Sequence, residues 1–475
     1  MNQTATPTAT LAPRRTRVEF WIIVSALVLA YSAYLSPMVL AILVGALVFV
    51  LAGMRFRPLL LAVLFFLPIN PYIPWDLPIK DLGTLVRLCL FVGVVIARQR
   101  GIESPWKWLF SGRVTHVILA YFSVTVLSSV VLNGPTSAVA HELMRLVSYL
   151  CFYYTIIDWV RTEADFHAVI NTMLLSTIGV ALFGFYQAII GDYSQLFEIL
   201  YPIQEEALKN PPFSGRITSF ISHYNTLAGY LNMIIPFAIY LSVKARNIDG
   251  RRLARLCFAF SSIAMVLTQS RGGLLAYVGV IMAAAYLLAP DRRARIRWIG
   301  SLLLFCVLAY IAVGLMFERL SGVDTYTEVT RLEIWAGAAL IFLSRPLVGI
   351  GYGNFKTIIA NTITVQEGFM LDAHNLYMEL LAETGLLGFV TFLTLAATVI
   401  RRGVRNFRTA PTLMSATVSF GVAIGIMSVM AHGAVDYLFH NSPQFAALFF
   451  LLLALLRADE IRRDLTAPGT VQVGS

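Results

Sequence analysis

The stretch DAHNLYMELLAETGLLGFVTFLTLAATVIRR, residues 372–402, combines the features that decide the fold of this chain. It begins with a polar cluster around His374, continues as an apolar segment centred on Thr391, and ends in arginines. An apolar segment of about 20 residues can cross a bilayer as a helix, and Lys and Arg accumulate in cytoplasmic loops. The stretch therefore predicts a membrane-spanning helix whose polar cluster lies on the outer side.

The rest of the chain has the same character. Hydrophobic residues make up 58% and charged residues 13% of the sequence, and its mean hydropathy is +0.74. Soluble domains carry about 25% charged residues. We therefore expect an all-α, polytopic integral membrane protein with about 14 transmembrane helices, within a range of 12–14. The apolar segments centre on Val28, Val44, Phe65, Phe91, Tyr121, Cys151, Val180, Ile235, Ala264, Ile281, Leu308, Thr391, Gly421 and Phe450.

Basic residues recur in every second loop. Most of the 36 Lys and Arg residues fall in eight segments that would all face the cytoplasm if the N-terminus does. This alternation predicts an even number of spans with both termini in the cytoplasm. The net charge of +10 then mostly reflects this bias and the anionic membrane lipids, and it does not indicate nucleic-acid binding. The segments surround residues 14–17, 55–57, 98–113, 161, 244–255, 292–297, 401–408 and 457–463.

A long outer loop, residues 316–384, is expected to contain helices of its own. Apolar residues at i, i+3 and i+4 spacing predict a helix over Glu328–Leu343, which the following proline ends. Three glycines within residues 349–353 predict a flexible turn, and because no strand precedes them they do not form a dinucleotide-binding fingerprint. Asp372 is expected to cap a second helix that holds His374.

His374 is the candidate general base. In the first turn of a helix, the positive end of the helix dipole disfavours an imidazolium. A neutral imidazole can accept a proton at physiological pH. The alternative is a histidine that only caps the helix or bonds to a neighbouring carbonyl.

Three arginines, Arg216, Arg271 and Arg331, fall on the same predicted outer side. A guanidinium is permanently charged and binds phosphate oxygens through two parallel hydrogen bonds. Together the three arginines suit a pyrophosphate. Individually, Arg271 could instead reach the lipid headgroups, and a surface salt bridge would explain Arg216 or Arg331.

Further polar residues could support the site. His432, Asp436 and His440 recur at i, i+4 and i+8, which on one helix would suit a metal. A polar lining for the site is the preferred interpretation, because Asn441 and Pro443 should break the helix before the second histidine. The candidate supporting residues are Asn225, Glu333, Asn375, Tyr377, Glu379, Glu383, His432 and Asp436.

Four motifs resemble, in order and spacing, those of the O-antigen ligase and polymerase superfamily of bacterial envelope glycosyltransferases. They cover about residues 215–388, and the last two are specific in combination. The motifs are Gly215-Arg216 with Phe220 and His223-Tyr224-Asn225; Ser270-Arg271-Gly272; Arg331-Leu332-Glu333-Ile334-Trp335 leading to residues 346–355; and Ala373-His374-Asn375-Leu376-Tyr377 with residues 383–388.

The resemblance implies a GT-C-like enzyme of the bacterial inner membrane whose active site faces the periplasm. It would move a glycan from undecaprenyl pyrophosphate to an acceptor hydroxyl, with inversion of the anomeric carbon and without a metal or another cofactor. By motif, His374 would be the base, and Arg216, Arg271 and Arg331 would hold the pyrophosphate. The implied partners are this donor, a lipid A–core or glycan acceptor, and membrane lipids.

The chain is then expected to divide into four parts. Residues 1–17 would be a disordered cytoplasmic N-terminus and residues 18–190 an N-terminal transmembrane bundle. Residues 191–457 would form the ligase-like catalytic region, including the loop 316–384, and residues 458–475 a cytoplasmic tail.

The acceptor is left open by the sequence. Ligases of lipopolysaccharide biosynthesis pass the glycan to lipid A–core, polysaccharide polymerases join lipid-linked repeats, and some relatives glycosylate proteins. The ligase is the preferred interpretation by a narrow margin. A lipid-linked glycan transporter is the alternative of another class. Transporters place ionisable residues near the membrane midplane, whereas here these residues gather at the outer face.

Overall fold

The computed structural model describes residues 37–71, 79–99, 110–132, 136–190, 216–221, 223–301, 303–304, 325–362, 372–439 and 442–466. These residues form helices and no strand, so the all-α prediction is confirmed for the described part of the chain. The helices are α1 (Pro37–Gly53), α2 (Arg57–Phe65), α3 (Leu82–Gln99), α4 (Arg113–Val126, continued by a π-helical segment, Leu127–Leu132), α5 (Ser137–Trp159), α6 (Glu163–Ile190), α7 (Tyr224–Lys244), α8 (Ile248–Leu267), α9 (Arg271–Leu288), α10 (Thr325–Ser344), α11 (Phe355–Thr362), α12 (Leu376–Arg408), α13 (Leu413–Gly433) and α14 (Pro443–Thr466).

The helices have the length and composition of membrane spans. Six helices among the described residues are long and apolar enough to cross a bilayer, in α4, α6, α7, α9, α12 and α13. Twelve of the predicted span centres lie in described helices. Those at Val28 and Leu308 lie outside the described residues. The membrane class is thus confirmed, and the count of 14 spans stays a prediction.

Helices α7 and α13 form the buried centre of the bundle. In both, 83% of the apolar window is buried inside the protein. Small residues let them approach closely: a Cβ on Gly421 would lie 2.5 Å from the ring of Phe237, and one on Gly425 would lie 3.0 Å from the carbonyl oxygen of Met233. Close packing of this kind stabilises helix association in a membrane, because lipid tails leave little hydrophobic driving force between the helices.

The helix ends lie on two opposite faces of the bundle. We call the face with His374 the site face and the opposite one the basic face. Helices α5, α7, α9, α12 and α14 begin at the site face. The basic face is tied together by ion pairs around the fully buried Asp459, which accepts hydrogen bonds from Arg462 at 3.0 Å and Arg463 at 2.7 Å. Many of its arginines are therefore structural.

Two basic residues that lie outside the eight predicted cytoplasmic segments, Arg87 and Arg145, have structural partners. Arg87 and Arg145 both pair with Asp81, at 3.7 and 3.4 Å, and Arg145 also pairs with Glu142 at 2.9 Å. Burial would raise the pKa of Asp81, but the two guanidinium groups and hydrogen bonds from Thr84 outweigh it and lower that pKa. The network joins α3 to α5.

Candidate active site

His374 and Asp436 form the central pair of the site. Nδ1 of His374 lies 3.2 Å from Oδ1 of Asp436, although the residues are 62 positions apart. The imidazole is 18% exposed, whereas the carboxylate is buried. Because an ionised carboxylate can only accept, Nδ1 carries a proton, and in the neutral imidazole Nε2 would then hold the lone pair. Among the described residues, Nε2 makes no hydrogen bond.

His374 lies before its helix and not in it. The side chain of Asn375 caps α12, accepting from Tyr377 N–H at 3.0 Å and Met378 N–H at 3.1 Å. The prediction that Asp372 caps this helix is wrong, because Asp372 is buried and paired with Lys356 at 2.9 Å. His374 instead adopts a left-handed conformation, with φ of 47°. Histidine tolerates this region better than most residues.

The backbone on both sides of His374 is fixed by side chains. Trp335 of α10 donates to the carbonyl of Ala373 at 2.7 Å, and Ala373 N–H donates to Oε2 of Glu379 at 3.0 Å. Asn375 donates to the carbonyl of Ala434 at 2.9 Å. In addition, the hydroxyl of Tyr377 donates to the carbonyl of Met430 at 2.6 Å. These bonds hold the His374 segment against the end of α13.

Three histidines surround the carboxylate of Asp436. Burial would raise the pKa of Asp436, but the hydrogen bond from His374 and electrostatic interactions with His374, His223 and His432 lower it overall. Burial also lowers the pKa of His223. Arg216 and His374 act in the same direction, while Asp436 and Asp372 oppose them. His223 is therefore neutral at pH 7, and its Nδ1 accepts from the N–H of the buried Asn225 at 3.2 Å.

His432 is packed between two glycines beneath this cluster. Its ring is 1% exposed, and neither ring nitrogen has a hydrogen-bond partner among the described residues. A Cβ on Gly272 would lie 3.3 Å from Nε2, and one on Gly229 would lie 3.5 Å from Nδ1. Helix α13 ends at Gly433, so His432 and Asp436 do not share a helix. His440 lies outside the described residues, which contain no group of three ligands able to hold a metal.

Arg271 is the first residue of α9. It lies near this cluster because the next residue, Gly272, packs against Val435 and His432. The turn between α8 and α9 is capped by Ser270, which accepts from Gly273 N–H at 3.1 Å. A Cβ on Gly272 would lie 2.4 Å from Val435, the residue before Asp436. The side chain of Arg271 is exposed and pairs with no residue that the structure describes.

The other two candidate arginines, Arg216 and Arg331, lie near the start of α7 and in α10. The guanidinium of Arg216 lies 4.6 Å from the centre of the Tyr224 ring, at the start of α7. Its segment is held by Gln187 of α6, whose Oε1 accepts from Ser219 N–H at 2.6 Å. Arg331 lies in α10, but its side chain is outside the described residues. Glu333, on the same helix, is exposed.

Glu383 lies at a break in α12. Gly385 adopts φ of 62° and ψ of −168°, which interrupts the helix. The backbone groups freed on both sides of the break bond to residues 346–351, which lead into the predicted glycine turn at residues 349–353. These bonds join Ile350 N–H to Ala382 at 3.0 Å, Gly351 N–H to Glu383 at 2.9 Å, Leu386 N–H to Pro346 at 2.8 Å and Leu387 N–H to Leu347 at 3.1 Å. The carboxylate of Glu383 accepts from the N–H groups of Gly353 and Phe355 as well.

The π-helical segment after α4 holds the other side of the glycine turn, through residues that the sequence analysis missed. Ser128 donates to the carbonyl of Val348, and Ser129 accepts from Tyr352 N–H at 2.8 Å. Both serines lie in the π-helical segment after α4, a local geometry common at functional sites. Serines in an apolar segment do not by themselves indicate a functional contact. The contact of Ser128 and Ser129 with the glycine turn is therefore visible only in the fold.

Residues 256–393 match the protein-family model described as O-Antigen ligase. Over this segment the chain is similar to the O-antigen ligase family. The match runs from α8 into α12, and it confirms the resemblance that the motifs predicted. No curated protein matches the chain.

The O-antigen ligase segment contains only part of the described site. It includes Arg271, the glycine turn, His374 and the break at Gly385. Arg216, His223, His432 and Asp436 lie outside it and reach the site through α7 and the end of α13. The match supports an enzyme of the ligase or polymerase type in a multi-pass membrane protein.

Proposed function

We propose that this protein transfers a glycan from undecaprenyl pyrophosphate to an acceptor hydroxyl on the periplasmic side of the inner membrane. The observation that carries the proposal is the His374–Asp436 pair beside exposed Arg271, within a chain that matches the O-antigen ligase family. A buried carboxylate that orients an imidazole is an arrangement that prepares a general base. The proposed acceptor is lipid A–core, as the description of the family suggests.

In the proposed reaction the acceptor oxygen attacks the anomeric carbon opposite the leaving group. A new glycosidic bond forms as the bond between the anomeric carbon and the pyrophosphate oxygen breaks, and undecaprenyl pyrophosphate leaves. The proton of the acceptor hydroxyl passes to Nε2 of His374, while Asp436 stabilises the resulting imidazolium through Nδ1–H. A single displacement of this kind inverts the anomeric configuration.

Arg216, Arg271 and Arg331 are proposed to hold the pyrophosphate. Negative charge accumulates on this group as the sugar–phosphate bond breaks, and fixed positive charge aimed at a developing anion is usually the largest catalytic contribution. The positions of Arg216 and Arg271 support the proposal: Arg216 acts electrostatically on His223, and Arg271 lies next to the glycine that packs on Val435. Three permanent cations would neutralise the leaving group without a metal.

The test is a transfer assay with the full-length protein in proteoliposomes, with donor binding measured separately. His374→Ala and His374→Gln should lower kcat by about 10²–10⁴-fold while donor binding is retained, because neither side chain can take the proton. Asp436→Asn should lower kcat by up to about 10⁴-fold, the cost known for replacing a carboxylate that orients a catalytic imidazole by its amide. His116→Ala, at an exposed position on the basic face, is the matched control and should be neutral.

The same assay separates the alternatives. Transfer by His374→Gln at close to the wild-type rate would make His374 an orienting residue, and the exposed Glu333 would become the next candidate base. Product that forms from a second lipid-linked glycan but not from lipid A–core would identify a polymerase. Relocation of lipid without covalent product would identify a transporter.

A further inference from the structure

A cavity of about 940 Å³ opens on the basic face, at the opposite end of the bundle from His374. It lies between α6, the loop that joins α7 to α8, and the loop that joins α12 to α13. Its volume is typical of sites that take a small molecule. None of the residues assigned to the glycosyl transfer lines it, so the cavity needs a separate explanation.

The lining of this cavity is amphipathic. Leu241, Leu253 and Met414 contribute apolar surface, and Leu241 and Met414 are buried. Exposed polar residues complete the lining, with Lys244 and Arg246 as its two permanent cations and Asp249 as its acid. An apolar interior with a basic mouth matches a molecule that has a hydrocarbon part and an anionic head.

The backbone between the two cations is fixed, and no carboxylate among the described residues neutralises either cation. The guanidinium of Arg251 donates two hydrogen bonds to the carbonyl of Ala245, at 2.7 and 2.9 Å, which fixes the backbone between Lys244 and Arg246. Neither Lys244 nor Arg246 pairs with a carboxylate among the described residues. Nearby Arg462, by contrast, pairs with Asp459 and Glu163. The charge at the cavity mouth is therefore available to a ligand.

We propose that this cavity binds one anionic glycerophospholipid from the adjacent leaflet. The phosphate would contact Lys244 and Arg246, and the acyl chains would run along Leu241, Leu253 and Met414. The charge bias of the loops orients this face toward the cytoplasm, where anionic lipids attract basic residues and occupy basic pockets between helices. The site is separate from the proposed glycosyl transfer and does not depend on it.

Native mass spectrometry of the full-length protein tests the proposal, with phosphatidylglycerol and phosphatidylcholine as probes at matched concentrations. The wild type should retain one phosphatidylglycerol and no phosphatidylcholine. Lys244→Gln combined with Arg246→Gln should raise the apparent Kd for phosphatidylglycerol roughly 30-fold, since each basic residue near the membrane surface contributes to binding. A large excess of inorganic phosphate should not displace the lipid.

The matched control is Arg252→Gln combined with Arg255→Gln, which removes the same charge from exposed positions of α8 that do not line the cavity. This control should retain phosphatidylglycerol within about twofold. Equal loss in both double variants would show that only general surface charge is sensed and would overturn the proposal. Equal retention of phosphatidylcholine, or displacement by inorganic phosphate, would overturn it too.

Discussion

At the scale of single residues, the site depends on side chains that come from four separate helix ends. His374 precedes α12, Asp436 follows α13, Arg271 begins α9 and His223 caps α7. Close approach of α9 to the end of α13 requires Gly272, because any Cβ there would overlap Val435. The arrangement brings a neutral histidine, a buried carboxylate and an exposed cation to one face.

Arg271 provides the prediction at this scale. Arg271→Ala should lower glycan transfer by about 10²–10³-fold, the usual cost of removing one donor to a developing anion. Arg271→Lys should keep part of the activity, because lysine retains the charge but not the two-pronged geometry. Rates are measured in proteoliposomes at matched expression, with Arg255→Ala on the basic face as the neutral control. Near-normal transfer by the alanine variants of Arg216, Arg271 and Arg331 would rule out the pyrophosphate clamp.

At the scale of elements, the break in α12 is the feature that organises the site. Residues 346–355 of the third motif and residues 383–388 of the fourth motif meet at this break. Backbone hydrogen bonds join the two segments there. In a membrane protein a broken helix is tolerated only where the freed groups are buried in protein and bonded. The break is therefore an integral part of the fold. It positions α12, and the first turn of α12 in turn positions His374.

Gly385 tests this account. Gly385→Ala should lower the free energy of unfolding by about 1–3 kcal/mol, because the left-handed conformation strains a side chain. A Cβ there would also lie 2.4 Å from the backbone of Leu347. Gly279→Ala in α9 is the matched control: no atom lies within 4 Å of its added Cβ, so it should stabilise by about 0.5–1 kcal/mol. Thermal unfolding of the purified protein measures both, and equal stability of the two variants would contradict the role assigned to the break.

The sequence predicts elements of this fold better than contacts between them. Apolar periodicity located α10, and the glycines at 349–353 marked the turn, because both signals are local. The cap of α12 was misassigned because Lys356 engages Asp372 and leaves capping to Asn375. The pairing of His374 with Asp436 depends on tertiary structure. Spacing alone suggests only that Asp436 could share a helix face with His432, whereas α13 ends before Asp436.

At the scale of the whole molecule, the two faces of the bundle have different chemistry. The basic face contains ion pairs such as Arg402 with Glu460, and Arg457 donates a hydrogen bond to Ser111 there at 2.9 Å. The site face carries the neutral His223 and the exposed Arg271. This separation suits an enzyme that meets a lipid-linked anionic donor on one side only, and it makes the orientation in the membrane decisive for the proposed function.

The orientation is tested with reporter fusions. A reporter fused after Asn361, in α11 and just before the His374 segment, should report the periplasm. Fusions after Gly250, at the start of α8, and after Arg293 should report the cytoplasm, because Lys and Arg in short loops keep those loops inside. A fusion after Gly322, which lies outside the described residues, should agree with Asn361. A cytoplasmic signal from Asn361 would place His374 and Asp436 on the side away from the proposed acceptor, and the periplasmic transfer reaction would then be untenable whatever the arginine variants show.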